Sequence, residues 1–247
     1  MAIRICKICG EEGTVNFPPE GWYCSEHKPG EVKSLKMVIP SVSKEETRTY
    51  TMSHLKELKE KIFLPETEFK ELSDFAGGYY FCVYHPVSKK QFGHRSDLIR
   101  HIKNKENPAI EDMINRLKKN LTRKGQFTLV VVPSHNASIN DSGIKRVAKG
   151  LCNGDWIDGT DCIKRKYIMP ARHGISGRGY TNEEIAKEKD SLSIENEELI
   201  KNKDILLFDD ITTTRVSLVA AMQSLYPKHP RSIICLVLGK TDESRTF

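Results

Sequence analysis

The spacing of apolar residues divides the chain into stretches of helical and of extended period. Leu55, Leu58 and Ile62 recur at helical spacing and predict a helix over 53–63, with Ser53 as its N-cap. Residues 75–87 are aromatic and β-branched around Gly77-Gly78, which predicts a strand. Two amphipathic helices are expected next. One carries Leu98, Ile99 and Ile102; the other, after Pro108, carries Ile110, Met113, Ile114, Leu117 and Leu121. Their single apolar stripes mark them as packing elements with charges turned to solvent.

Beyond Gly125 the pattern changes. Residues 127–132 read Phe-Thr-Leu-Val-Val-Val before Pro133, with none of the alternation of a half-exposed strand. Such a run fits a strand buried on both faces of a parallel sheet. An amphipathic helix follows on Ile144, Val147, Ala148 and Leu151, with start signals from Asn140 to Ser142. A second strand is expected at 161–168 and a third at 205–208. The third leads into a helix carrying Leu218, Val219, Met222 and Leu225, and a fourth strand spans 232–238. Between the second and third strands, 169–181 is rich in glycine and basic residues, too polar for a core and long enough to be a functional loop. Strand and helix in alternation predict an α/β fold with a doubly wound, mainly parallel sheet.

Three regions follow from these patterns: a small module at 1–40, a mixed helical and strand region at 41–124 that packs on or completes the core, and the α/β domain at 125–247. The polar, basic stretch 29–50 reads as a linker or exposed hairpin. With 247 residues and 38% hydrophobic content the chain has the composition of an ordinary folded protein. Its longest apolar runs fall far short of the roughly 18 residues of a membrane helix. The N-terminus reaches Cys6 without an apolar segment, so a cytoplasmic chain with reduced thiols is expected. The net charge of +6 favours anionic partners. That charge is scattered through mixed-sign segments, and does not choose between a phosphate ligand and nucleic acid.

Cysteine placement says more than cysteine number. Cys6 and Cys9 are separated by two residues, as are Cys24 and His27. Two such pairs let the chain fold back and present four donors to one tetrahedral ion. Thiolate and imidazole select zinc, and a closed set of three cysteines and one histidine leaves no open position, so the metal would be structural. The competing reading is that these cysteines simply pack; paired spacing on both sides favours zinc. Cys82, His85, His94 and His101 lack such regularity and read as packed or solvated residues.

The strongest chemical signal is Ile205-Leu-Leu-Phe-Asp209-Asp210-Ile-Thr212-Thr213-Thr214-Arg215-Val-Ser217. An apolar strand ends in two carboxylates, and hydroxyl residues then open a helix. Carboxylates accept hydrogen bonds from vicinal sugar hydroxyls, while hydroxyls and amides at a helix start surround a phosphate. A sugar phosphate satisfies both ends. Asp and Thr also begin ordinary helices, so the buried strand in front of them carries much of the weight.

This segment resembles the PRPP-binding motif of type I phosphoribosyltransferases, where an apolar strand runs into Asp-Asp, two further residues, Thr-Thr-Gly and a later Thr or Ser. Arg215 stands where that family has Gly. A glycine lets the backbone approach the phosphate; an arginine narrows the cradle or lends its guanidinium. With the cysteine pairs, Val131-Val-Pro-Ser134-His135, Lys164-Arg-Lys166 and Ser193-Ile-Glu-Asn196, the chain is similar to the ComF-like branch, which joins a zinc module to a phosphoribosyltransferase-like domain.

The resemblance implies a pyrophosphate loop at 134–138 with Ser134 and His135, and a mobile loop at 169–180 carrying Arg172 and Arg178. Asp209 and Asp210 would hold the ribose. Thr212, Thr213, Thr214, Arg215 and Ser217 would hold the 5-phosphate, and Mg²⁺ would accompany PRPP. The implied reaction is phosphoribosyl transfer to a nucleobase or another nitrogen acceptor. The alternative it implies is a non-catalytic adaptor linked to DNA uptake, with single-stranded DNA or DNA-processing proteins as partners.

Overall fold

The computed structural model describes residues 15–17, 21–23, 62–63, 69–72, 77–85, 94–123, 125–152, 156–170 and 181–241. The chain divides into two compact units, Met1–Lys56 and Glu57–Phe247. In the first, β1 (Val15–Phe17) pairs antiparallel with β2 (Gly21–Tyr23), Val15 opposite Tyr23. Cys6, Cys9, Cys24 and His27 lie outside the described residues.

The second unit begins with β3 (Ile62–Phe63), β4 (Lys70–Glu71), β5 (Gly78–Tyr84), α1 (His94–Lys103), α2 (Asn107–Asn120) and β6 (Thr122–Arg123). It continues through β7 (Phe127–Val131), α3 (Gly143–Leu151), β8 (Trp156–Asp158), β9 (Ile163–Arg165), α4 (Asn182–Asp190), β10 (Leu192–Ile194), β11 (Asp204–Thr212), α5 (Val216–Leu225) and β12 (Ser232–Thr241). Six strands form one sheet in the order β4-β5-β12-β11-β7-β8. All its neighbours run parallel except β4, which pairs antiparallel with β5 at the edge. The fold is therefore α/β with a mainly parallel sheet.

Burial explains the unbroken apolar runs. Every residue of β7 is buried, as are residues 204–209 of β11 and 232–239 of β12. Central parallel strands lose water on both faces, so polar alternation disappears from their sequence. Thr128 is the exception in β7, and its hydroxyl donates to the Leu199 carbonyl at 2.7 Å. Helices supply the two outer layers. α3 packs on α1, α2, β7 and β11; α5 packs on α4 and β11. The stripes at Leu98, Ile99 and Ile102 and at Ile144, Val147, Ala148 and Leu151 are all buried, and Ser142 caps α3 by accepting from the Lys145 amide at 3.3 Å.

Three sequence expectations are corrected by the tertiary pairing, and one helix is additional. Ile62 and Phe63, placed at the end of a helix, form β3 and pair with β6. The expected strand at 161–168 contributes β9 to a separate two-stranded ribbon with β10, while the sheet position is taken by β8. β8 is only three residues long and too short for a periodic signal. α4 is an additional helix, yet Thr181 and Glu184 form a capping box at its start, a signal legible in the sequence. Finally, β11 runs to Thr212, so the paired aspartates lie inside a strand rather than in the loop after it.

α3 approaches α1 and α2 too closely for larger residues. A Cβ on Gly143 would stand 1.7 Å from the Ile102 carbonyl oxygen, whereas one on Gly150 would meet the movable Ile114 Cδ1 at 2.2 Å. Gly143→Ala is expected to cost about 1–3 kcal/mol despite the better helix propensity of alanine, because backbone must shift. Gly150→Ala should cost less. Urea midpoints of the two variants measure the difference.

Candidate functional site

The site is created by unequal strand lengths. β7 and β11 pair in register as far as Val131 opposite Phe208, and the Val132 amide donates to the Phe208 carbonyl at 2.9 Å. Pro133 then ends the strand, having no N–H to continue the ladder. β11 goes on, paired with β12 as far as Thr212 opposite Lys240. Residues 209–212 thus have a sheet neighbour on one side and no paired strand on the other. From β7 the chain crosses by α3 to β8 on one side, whereas from β11 it crosses by α5 to β12 on the other. The connections part between β7 and β11, which makes their carboxyl ends a topological switch point, where open α/β sheets bind ligands.

Sequence-predicted residues gather at this point from both flanks. Ser134 and His135 follow β7, while Asp209, Asp210, Thr212, Thr213, Thr214, Arg215 and Ser217 follow along β11 and into α5. Arg172 and Arg178 lie outside the described residues. After β7 the loop folds on itself: the Asn136 amide donates to Ser134 Oγ at 3.3 Å and the Ser138 amide to Asn136 Oδ1 at 3.0 Å. The His135 carbonyl accepts from the Met169 amide at 2.8 Å, which ties this loop to the foot of the segment leading to 171–180.

The two aspartates occupy different environments. Successive strand residues point to opposite faces, so their carboxyl groups diverge. Asp209 is buried, and its Oδ1 accepts from the Asp210 amide at 2.8 Å. Asp210 is partly exposed and meets the Lys103 ammonium, at the end of α1, at 3.3 Å. Burial holds the Asp209 carboxyl well above the usual carboxylate range, and the Asp210 charge pushes in the same direction. A buried acid with a raised proton affinity at a ligand crevice is the kind of group that binding sites tune.

The turn from β11 into α5 has an unusual backbone. Thr212 is buried at the end of β11, and Thr213 Oγ1 shares a hydrogen bond with Thr241 Oγ1 at 2.9 Å. Arg215 adopts the left-handed region, φ 63° and ψ 2°, directly before α5. That conformation costs a non-glycine residue about 1–2 kcal/mol. Its Nε is buried without a hydrogen-bond partner. The turn therefore keeps the backbone shape of a glycine at a position the sequence fills with arginine.

One side chain at the foot of the crevice was not singled out from its neighbours by the sequence. Within Lys164-Arg-Lys166, alternation along β9 turns Arg165 inward while Lys164 and Lys166 stay exposed. Its guanidinium pairs with Glu188 and binds the carbonyls of Pro133 and Ser134. Applying period two to the three basic residues would have separated the middle one from its neighbours. The described cysteines offer no competing chemistry: burial pushes the thiols of Cys82, Cys152 and Cys162 up to about 11. They stay protonated at neutral pH.

A raised carboxyl binds its proton more tightly in the folded chain than in the unfolded one. Asp209 thus favours folding below the ordinary carboxylate value of about 3.9, and that contribution is lost as pH rises through the folded value. Asp209→Asn keeps an oxygen for the Asp210 amide and removes the charge. The variant should have a higher urea midpoint than wild type at about pH 8 and a similar one at about pH 3.5. Equal midpoints at the higher pH would show that Asp209 carries no such cost.

No protein-family model matches the chain, and no curated protein matches it. Among solved structures it is similar to hypoxanthine phosphoribosyltransferase of Trypanosoma cruzi, at 16% identity and TM-score 0.30 over 62% of this chain and 69% of that one. It is also similar to hypoxanthine phosphoribosyltransferase of Staphylococcus aureus, at 15% identity and TM-score 0.29 over 66% of this chain and 76% of that one. At these scores the likeness assigns neither a fold family nor a ligand. The topology stands on the strand pairing of the chain itself.

Proposed function

We propose that the crevice between the carboxyl ends of β7 and β11 binds PRPP or a related ribose 5-phosphate, and that the protein transfers phosphoribosyl to a nitrogen acceptor such as a nucleobase. The observation that carries this reading is the run of paired aspartates, hydroxyl residues and a left-handed turn into a helix, all located at the switch point of a parallel sheet. Asp209 and Asp210 accept hydrogen bonds from the ribose hydroxyls. Amides and hydroxyls of Thr212, Thr213 and Thr214, with the Ser217 amide, hold the 5-phosphate at the positive end of α5, and Arg215 adds its charge. Ser134, His135 and the loop at 134–138 hold the pyrophosphate. Arg172 and Arg178 close over the leaving group.

Catalysis by such a site rests on orientation and charge stabilisation. The anomeric C–O bond breaks, pyrophosphate leaves with the bonding electrons, and the acceptor nitrogen attacks the opened carbon. Among the described residues no group of three metal-binding side chains occurs. The oxygens of Asp209 and Asp210 nevertheless suit a hard ion such as Mg²⁺, which when bound would offset the charge of the departing pyrophosphate. In the first unit, Cys6, Cys9, Cys24 and His27 hold a structural zinc; metal analysis should give one zinc per chain, lost in Cys6→Ser.

A second reading is favoured by Arg215, which occupies in the left-handed region a turn position that is glycine in the family this segment resembles. In it, the fold serves as a non-catalytic adaptor for single-stranded DNA or DNA-processing proteins. Calorimetric titration with PRPP and Mg²⁺ separates the two. Wild type should bind, and Asp209→Asn with Asp210→Asn should weaken binding by about a hundredfold or more, the loss of two charge-assisted hydrogen bonds. A folded wild type that ignores PRPP but binds single-stranded DNA in a salt-dependent manner would establish the adaptor instead.

A further inference from the structure

The Arg165–Glu188 pair is almost fully withdrawn from water, with side chains 3% and 5% exposed and Nη2 2.8 Å from Oε1. Burying two charges rarely stabilises a fold more than an apolar pair of the same volume would. What distinguishes this pair is its set of further contacts. Arg165 Nε donates to the Ser134 carbonyl at 3.0 Å, Nη2 to the Pro133 carbonyl at 3.2 Å, and Nη1 to Ser191 Oγ. On the other side, Ser217 Oγ donates to Glu188 Oε1 at 3.5 Å. One ion pair therefore touches the loop after β7, the β9–β10 ribbon, α4 and the first turn of α5.

These contacts have directional consequences. In a trans peptide the carbonyl and the following amide point in opposite directions. Holding the carbonyls of Pro133 and Ser134 on the guanidinium fixes the two peptide planes that also carry the Ser134 and His135 amides. Glu188 poses the reverse problem, because its carboxylate accepts from the hydroxyl of Ser217, a residue assigned to the 5-phosphate. Without Arg165 that charge would repel the phosphate.

We propose that Arg165 and Glu188 are a positioning pair that couples the pyrophosphate loop to the 5-phosphate turn, so that filling either anion subsite favours filling the other. This rests on the reading of the crevice as a PRPP site. Neither residue touches the reacting atoms. A rigid link ordered by the first ligand lowers the ordering cost of the second, which gives positive coupling.

The test titrates the full chain with inorganic pyrophosphate and with ribose 5-phosphate, each alone and in the presence of the other. In wild type, one ligand at saturation should tighten the other by about threefold or more, within the usual range of coupling. Arg165→Lys, which keeps the charge but not the forked geometry, should weaken pyrophosphate by about tenfold. The double variant Arg165→Met, Glu188→Leu replaces the pair by apolar volume that a core tolerates. It should retain ribose 5-phosphate binding and lose the coupling. If coupling persists and both affinities stay within about twofold of wild type in the folded variants, the pair is merely structural and the proposal fails. Should one variant not fold, the other decides. Wild type that binds neither ligand would overturn the reading of the crevice itself; binding of both, unmoved by the substitutions, would overturn the positioning pair alone.

Discussion

The parallel register between β7 and β11 sets the position of everything at the candidate site. It brings Val131 opposite Phe208 and lets β7 stop there, while β11 continues along β12. Had the two strands ended together, residues 209–212 would have been sealed into the sheet or released into a loop. Instead they are paired with β12 along one edge and free of strand pairing along the other. A site made by terminating a neighbouring strand gains the precision of sheet backbone without sacrificing access.

Holding that geometry costs free energy locally. Asp209 is a carboxyl buried beside another carboxyl, and Arg215 holds a backbone conformation suited to glycine. Both are tolerable because the strands beneath them are fully buried: Phe127, Leu129, Leu206, Leu207 and Phe208 are shielded from water altogether. Each such side chain contributes about 1.5–3 kcal/mol on burial. The sheet thus over-determines the conformation of its own edge, the circumstance in which strained and charged groups persist at functional sites.

Long apolar elements were legible in the sequence because their periodicity reports the number of buried faces. β7, β11, β12, α1, α2, α3 and α5 all lie where unbroken runs or i, i+3, i+4 stripes place them. The failures share a cause. β8 and β9 are three residues each, shorter than any window in which a period can be detected, and β3 depends on a partner at β6 about sixty residues away. The candidate site was legible to a comparable extent. Asp209, Asp210 and the hydroxyl residues announce themselves by following a buried strand. Lys103, which arrives from α1, carries no local signal at all.

The sequence by itself determined which residues are chemically able to hold a sugar phosphate and which strand delivers them, since residue type and hydrophobic period are properties of a single segment. Tertiary structure decided how those residues are used. Strand order made the ends of β7 and β11 a topological switch point, the length of β11 placed the aspartates inside the sheet, and long-range packing buried the Arg165 guanidinium against Glu188. Such outcomes depend on which distant segments meet, and no single segment encodes its partners.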